Sequence, residues 1–165
     1  MLIGCPKEIK NQEYRVGITP AAAREAVAHG HSVLMEAGAG AGSGFPDADY
    51  AAIGAEIVGS AEEVFARAEM VVKVKEPQPV ERARLREGQL LFTYLHLAPD
   101  PDQTRDLLES GVTAIAYETV TDRTGGLPLL APMSEGAGKL APPGCAWAAP
   151  KANGGRGALS GGVPR

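Results

Sequence analysis

The sequence predicts a doubly wound α/β fold, in which helices cover both faces of a mostly parallel sheet. Short apolar segments alternate along the chain with segments that carry helix caps and helix stops. The strand candidates are nearly continuous apolar runs, as in strands that are buried on both faces. With 165 residues, 44% hydrophobic and 22% charged, the chain is long enough for one domain with a core and short for two.

The first half of the chain supplies three strands and two helices. Its strand candidates are MLIGC, SVLME and AEIV. Between the first two, Thr19 and Pro20 predict the N-cap and first turn of a helix that ends at Gly30. A glycine-rich loop and a short helical piece near PDADYAAIG lead into the third strand.

The second half continues the alternation. Its strand candidates are MVVKV, QLLFTYLHL and VTAIAY, and its helix candidates are VFARAEM, PVERARLREG and DQTRDLLES. Ser60 with Glu63 forms the pattern of a capping box before the first of these helices. Asp100 caps the third helix, Pro101 occupies its first turn and Gly111 ends it.

Composition limits the class of partner. The formal net charge of −4 and the pI near 5.4 argue against nucleic acid and anionic membrane surfaces, because both favour clustered Lys and Arg. The first residues do not form a signal segment, and no window approaches the ~20 apolar residues that span a bilayer. We therefore expect a cytoplasmic protein that acts on a small molecule.

The cysteines and two of the histidines predict no metal site. Cys5 and Cys145 are too few and too isolated for a disulfide framework or a thiolate cluster, so both are interpreted as plain thiols. His29 and His31 flank Gly30 at a predicted helix end, where an imidazolium complements the helix dipole. No carboxylates stand at ligand spacing beside them, and we interpret both as structural.

Polar side chains follow four of the predicted strands. They are Arg15 after the first strand, Lys75 after the fourth, His96 at the end of the fifth and Glu118 after the sixth. Because parallel strands deliver their carboxyl ends to one edge, these side chains are expected to converge there. Arg binds carboxylates bidentately, Lys polarises a carbonyl oxygen and His exchanges a proton near neutral pH. The set predicts a keto-acid site.

Each of these residues has an ordinary alternative. Arg15 can be a solvated loop charge, and Lys75 with Glu76 can be a surface pair. His96 can be a structural histidine, and Glu118 can be a carboxylate at a helix N-terminus. Their joint placement at one edge of the sheet favours the site.

The stretch from Gly38 to Gly44 follows a strand, as a dinucleotide-binding loop does. The pattern G-x-G-x-x-G does not fit it, because Ser43 and Phe45 stand where the third glycine is required. No long helix begins directly after it to face a pyrophosphate. We interpret this stretch as a flexible turn whose backbone packs closely.

Six segments within residues 1 to about 138 carry a family resemblance, in the family's own order. They are GCPKEIKNQEYRVGITP, EAGAGAGSGFPDADY, KVKEPQP, LFTYLHLAPD, AYETV and PLLAPMSEGAG. Together they resemble the N-terminal half of NAD-dependent alanine dehydrogenases. The resemblance implies a Rossmann-like or flavodoxin-like substrate domain and a homo-oligomer. It also implies an oxidoreductase that converts L-alanine, NAD and water to pyruvate, ammonia and NADH.

The resemblance implies a role for each of the four charged positions. His96 would be the acid/base, and Arg15 and Lys75 would hold the substrate carboxylate and carbonyl, with Lys75 also catalytic. Glu118 would support the substrate site. The ends of the predicted strands indicate the same four positions independently of the family.

The last segment departs from the family pattern. Residues 1–130 are expected to form the substrate-binding domain, and residues 131–165 an interdomain connection and a divergent tail rich in Gly, Pro and Ala. Pro142 and Pro143 are expected to interrupt a helix in the connection. Since the chain ends at Arg165, where the family begins its NAD domain, we expect no cofactor domain and no activity of the chain alone.

NAD is the cofactor that the resemblance implies, with Met133 and Ser134 near its nicotinamide. Two other interpretations stay open. One is the N-terminal region of a transhydrogenase alpha subunit, and the retention of Arg15, Lys75 and His96 argues against it. The other is a non-enzymatic remnant that binds small carboxylates or serves only in assembly, which the expected absence of a cofactor domain favours.

Overall fold

The first 119 residues fold around a six-stranded parallel sheet. A computed structural model describes residues 1–157, and the chain divides into two compact units, Met1–Thr119 and Val120–Arg165. The strands are β1 (Leu2–Cys5), β2 (Ser32–Glu36), β3 (Glu56–Val58), β4 (Met70–Val72), β5 (Leu90–Thr93) and β6 (Thr113–Ala116). Their order is β3-β2-β1-β4-β5-β6, and every neighbouring pair is parallel. The predicted fold class is confirmed.

Five helices connect these strands. They are α1 (Pro20–Ala28), α2 (Asp47–Ala51), α3 (Ala61–Arg67), α4 (Pro79–Arg82) and α5 (Pro101–Ser110). The side chains of Thr19, Ser60 and Asp100 each accept a backbone N–H in the first turn of α1, α3 and α5. Helix α4 is shorter than the candidate PVERARLREG, because Leu85 turns into the core and Gly88 adopts a φ of 77°.

The two faces of the sheet carry separate apolar cores. Alternate residues such as Val33, Met35 and Val72 pack with Ala23 of α1 and Tyr50 of α2. On the opposite face, α3 lies against β1. A side-chain carbon at Gly4 would stand 2.6 Å from the Cβ of Ala68, so only glycine allows this approach. The opposite-face core contains Leu34, Val58, Val64, Phe65, Val71, Leu91 and Leu107.

Strand β5 ends earlier than the sequence indicates. We expected His96 at the end of this strand, but the strand stops at Thr93. Tyr94 and Leu95 continue as buried residues without strand geometry. His96 then takes a φ of 50°, which turns the chain out of any extended path. The histidine therefore stands on a turn beyond the strand and is exposed.

The second unit contains one long helix, α6 (Ala131–Ala148). The expectation that Pro142 and Pro143 interrupt this helix is wrong, since both lie inside it. Their missing N–H groups leave carbonyls of the preceding turn without a helical hydrogen bond. Since α6 has no buried residue, water can donate hydrogen bonds to those carbonyls. Among residues 1–157, no helix is both long and apolar enough to cross a membrane. The final part of the expected tail, 158–165, lies outside the described residues.

Candidate active site

The four charged positions follow strands at the same edge of the sheet. Arg15 lies in the loop after β1, Lys75 follows β4 by three residues, His96 follows β5 by three, and Glu118 follows β6 by two. Strands β1 and β4 are neighbours, and the strand order reverses between them. At such a reversal the flanking connections leave towards opposite faces and open a crevice at the carboxyl ends of the strands.

Arg15 is paired within its own loop. Its Nε donates to Oε1 of Glu13 at 2.8 Å and a terminal nitrogen donates to Oε2, so the pair is bidentate. This guanidinium lowers the pKa of Glu13 to about 2. The Arg15 side chain is nonetheless 48% exposed. It remains reachable for a small anion while Glu13 holds its orientation.

The glycine-rich stretch supports the Arg15 loop. A side-chain carbon at Gly42 would stand 2.6 Å from the carbonyl oxygen of Tyr14, and one at Gly40 would stand 2.7 Å from that of Phe45. Ser43 Oγ also donates to the Tyr14 carbonyl at 3.1 Å. These glycines face protein backbone. The loop packs against the segment that carries Arg15, and its geometry does not fit a pyrophosphate cradle.

Lys75 stands next to a buried network of three charges. Lys73 is fully buried, and its Nζ donates to Oε2 of Glu8 at 3.1 Å and to Oε1 of Glu81 at 2.8 Å. Burial works to lower the pKa of Lys73, but the two carboxylates outweigh it and hold that pKa above its usual value. Lys73 therefore stays charged, and its partners give it the hydrogen bonds that a buried ammonium requires.

Glu8 connects the loop after β1 with the loop after β4. Its Oε1 accepts the backbone N–H of Val74 at 2.6 Å and that of Lys75 at 3.4 Å. On the other side, Thr93 Oγ1 donates to the carbonyl oxygen of Lys75 at 2.9 Å. The backbone of Lys75 is thus held by the loop after β1 on one side and by β5 on the other. Burial raises the pKa of Glu8.

Glu118 holds the turn that carries His96. Its carboxylate accepts the backbone N–H of Leu95 at 3.1 Å and that of His96 at 2.7 Å. The carbonyl oxygen of Leu95 accepts from the buried Gln103 side chain at 2.5 Å. The imidazole of His96 stacks on Tyr94, with ring centroids 5.9 Å apart and an interplanar angle of 28°. The turn is held through its backbone, and the ring itself stays 46% exposed.

Two of the four predicted site residues are in direct contact with one another. His96 and Glu118 contact one another and line an apolar cleft of about 420 Å³. Arg15 lines a separate cavity of about 50 Å³ beside Glu13 and Gly42.

Met133 and Ser134 belong to the second unit, in the first turn of α6. Met133 is half-buried and Ser134 is exposed. A thioether and a hydroxyl fit the chemistry of a nicotinamide ring and its carboxamide.

Sequence reasoning missed the carboxylates that surround the predicted site. The sequence analysis assigned no role to Glu8, Glu13 or Glu81. Lys73 lies between apolar neighbours in MVVKV, and a lysine in a strand buried on both faces signals a buried partner. That signal could have indicated the network, although not which carboxylates complete it.

Known proteins are similar to this chain in sequence and in fold. The family described as "Alanine dehydrogenase/PNT, N-terminal domain" matches residues 4–137. The alanine dehydrogenase of Mycolicibacterium smegmatis is 56% identical over 164 residues, which cover 99% of this chain and 44% of the relative. That of Bacillus subtilis is 53% identical over 165 residues, which cover 99% of this chain and 43% of the relative.

Two solved structures resemble the chain. An L-alanine dehydrogenase has a TM-score of 0.88 at 53% identity and covers 99% of this chain and 45% of its own. A transhydrogenase from Sinorhizobium meliloti has a TM-score of 0.69 at 27% identity and covers 74% of this chain and 36% of its own. The chain spans about 44% of the length of curated relatives such as that from Mycolicibacterium smegmatis. It belongs to the alanine dehydrogenase/PNT N-terminal domain family.

Proposed function

We propose that this chain is the substrate-binding part of an alanine dehydrogenase, an oxidoreductase that interconverts L-alanine and pyruvate. The observation that carries the proposal is that Arg15 and Lys75 follow the two strands that border the reversal of strand order, and that His96 follows the next strand. The 56% identity to a curated alanine dehydrogenase supports the same reaction class. Residues 1–130 form the substrate domain in this proposal, and residues 131–165 form the interdomain connection and tail.

The proposed substrate-binding residues act on the two polar ends of a keto acid. Arg15 binds the carboxylate through its partly exposed guanidinium side chain, while Glu13 keeps the guanidinium plane in place. Lys75 polarises the carbonyl oxygen, and Glu8 fixes the backbone from which Lys75 extends. Glu8 thus joins the loop after β1, in which Arg15 also lies, to the segment that carries Lys75.

His96 is the proposed acid/base. The oxidation of an amine to a ketone and ammonia requires proton transfers, and an exposed imidazole on the turn beyond β5 can make them. Glu118 acts through the His96 backbone, so its proposed role is to position the catalytic turn. NAD supplies the hydride acceptor when it is bound, and Met133 and Ser134 are proposed to contact its nicotinamide. The proposal gives no cofactor role to the stretch Gly38–Gly44.

A transhydrogenase function is the second candidate. The Sinorhizobium meliloti structure shares the fold over 74% of this chain at 27% identity. The higher identity to alanine dehydrogenases and the presence of Arg15, Lys75 and His96 together favour the dehydrogenase. We also propose a cytoplasmic location, in which the two free cysteines of the described chain stay reduced.

Binding of pyruvate to the 165-residue chain tests the site. We expect amide signals in the loops of Arg15, Lys75 and His96 to shift in NMR titrations with pyruvate. Arg15→Lys should weaken binding about 10-fold or more, because an ammonium does not reproduce a bidentate fork. Arg24→Lys, on the exposed side of α1, is the matched control and should bind as the wild type does. Equal binding by both variants would remove Arg15 from the site.

Turnover tests the reaction itself. Relatives are more than twice as long as this chain, so the assay uses the 165-residue polypeptide beside a form extended with the remaining part of a relative. We expect alanine-dependent NADH formation only in the extended form, since hydride transfer requires the nicotinamide held against the substrate. His96→Ala in the extended form should lower kcat by about 10²- to 10⁴-fold. Absence of turnover in the extended form would support the non-enzymatic interpretation.

A further inference from the structure

Glu76 places a carboxylate beside the imidazole of His96. Its Oε2 is 3.5 Å from Nδ1 of His96. Within residues 1–157, this oxygen is buried and has no hydrogen-bond partner. Buried carboxylate oxygens are normally satisfied by donors. A proton on Nδ1 of His96 can be this donor, since a small rotation of the exposed ring brings Nδ1 within hydrogen-bond distance of Oε2.

Lys10 fixes the other oxygen of the same carboxylate. Its Nζ donates to Oε1 of Glu76, and an ammonium can only donate. Burial of Glu76 works to raise its pKa, but the hydrogen bond and charge of Lys10, together with the charge of His96, outweigh burial, and that pKa lies below its usual value. Glu76 is therefore ionised where histidine titrates, and Oε2 is an acceptor directed at the ring.

The other neighbours of His96 do not compete for Nδ1. Glu118 accepts the backbone N–H of His96, and Tyr94 covers a face of the ring. Contacts to the backbone, the ring face and Nδ1 thus come from three different side chains. The nitrogen left for a substrate is Nε2.

We propose that Glu76 is a positioning residue that accepts the Nδ1–H of His96 and leaves Nε2 unprotonated as the base. This inference rests on the proposed role of His96. When Nε2 takes a proton, its lone pair forms the new N–H bond, Nδ1 keeps its own proton, and Glu76 stabilises the resulting imidazolium. A buried carboxylate fixes the tautomer of the catalytic histidine in serine proteases in the same way.

The tautomer of His96 tests the proposal without substrate. Proton–nitrogen correlation spectra of the 165-residue chain at about pH 9, above the usual histidine pKa of about 6.5, report which ring nitrogen carries the proton. We expect Nδ1–H to be the major form of His96. His29 is an internal reference, because its Nδ1 lies 2.7 Å from the carbonyl oxygen of Glu25, which only accepts. A major Nε2–H form of His96 in the wild type overturns the proposal.

Glu76→Gln should invert the tautomer. Lys10 attracts the amide oxygen, so the amide nitrogen faces Nδ1, which must then accept, and Nε2–H becomes the major form. Lys10→Met is the matched control, since it keeps the carboxylate and should keep Nδ1–H. A folded Glu76→Gln chain with an unchanged tautomer contradicts the proposal.

If the Glu76→Gln chain does not fold, the tautomer seen in the wild-type spectrum alone tests the proposal. Because this readout needs no substrate, a failure to bind pyruvate would refute the proposed function and leave the tautomer result standing. A wild-type Nε2–H form combined with normal pyruvate binding would refute only the role of Glu76.

Discussion

Glu118 accepts the backbone N–H of His96 at 2.7 Å, although the two residues are 22 positions apart in sequence. His96 has a φ of 50°, in the left-handed region that residues with side chains seldom adopt. The turn therefore persists because the carboxylate holds two consecutive amides, and not because of its own backbone preference.

Glu118→Ala should release this turn. Hydrogen bonds to a charged acceptor contribute about 1.5–3 kcal/mol each, so loss of the carboxylate should accelerate amide exchange at Leu95 and His96 by roughly 10- to 100-fold. Native-state hydrogen exchange measures this. Glu109→Ala, on the exposed side of α5, is the control and should leave both amides protected. Unchanged protection in Glu118→Ala would show that Gln103 holds the turn alone.

Lys73→Met should be strongly destabilising. The substitution leaves Glu8 and Glu81 buried without their shared cation, and breaking a buried ion pair in this way costs about 3–5 kcal/mol. Urea denaturation measures the free energy of unfolding. Lys7→Met removes an exposed ammonium and should change that free energy little. Equal stability of the two variants would mean that the network contributes nothing to the fold.

The stability that ionised Glu13 contributes should be lost in acid. Its folded pKa is about 2 against a usual value of 4.5, so its contribution to stability is complete above pH 4.5 and is lost as the pH falls towards 2. Glu13→Gln lacks this contribution at every pH. The difference in Tm between wild type and Glu13→Gln should therefore narrow as the pH falls through that range, whereas Glu25→Gln should match the wild type throughout. A constant difference would refute the assignment.

The two cysteines should react at very different rates. Cys5 is fully buried, and burial raises the pKa of its thiol to about 12, whereas Cys145 is exposed. Ellman's reagent at about pH 8 should modify one thiol quickly in the folded chain and both after denaturation. Cys145→Ser should abolish the fast reaction. Two fast thiols in the native protein would place Cys5 at the surface.

Local signals made the fold predictable. Thr19, Ser60 and Asp100 each accept the amide N–H three residues further on, so their effect on helix starts is visible in the sequence itself. The end of β5 was not predictable, because the turn at His96 depends on Glu118, which lies beyond an entire helix. An apolar run cannot reveal where a distant carboxylate stops a strand.

The residues of the candidate site were likewise predictable only in part. The rule that parallel strands end at one edge sufficed to select Arg15, Lys75, His96 and Glu118. It could not select Glu8, whose partners Lys73 and Val74 are 65 and 66 residues away. Strand topology therefore predicts which residues stand at the edge of the sheet. It does not predict which distant side chains hold them, because those contacts depend on tertiary packing.

The pairing of β1 with β4 also determines when the site can form during folding. Ile3 pairs with Met70, so the two loops that carry Arg15 and Lys75 meet only after a segment of more than sixty residues has closed. Helices α1 and α3 and the β1–β2 pair can form earlier from nearer segments. During synthesis from the N-terminus, the apolar strand Leu2–Cys5 therefore keeps one edge unpaired until β4 has been made. While this edge is unpaired, the nascent chain is most prone to aggregation.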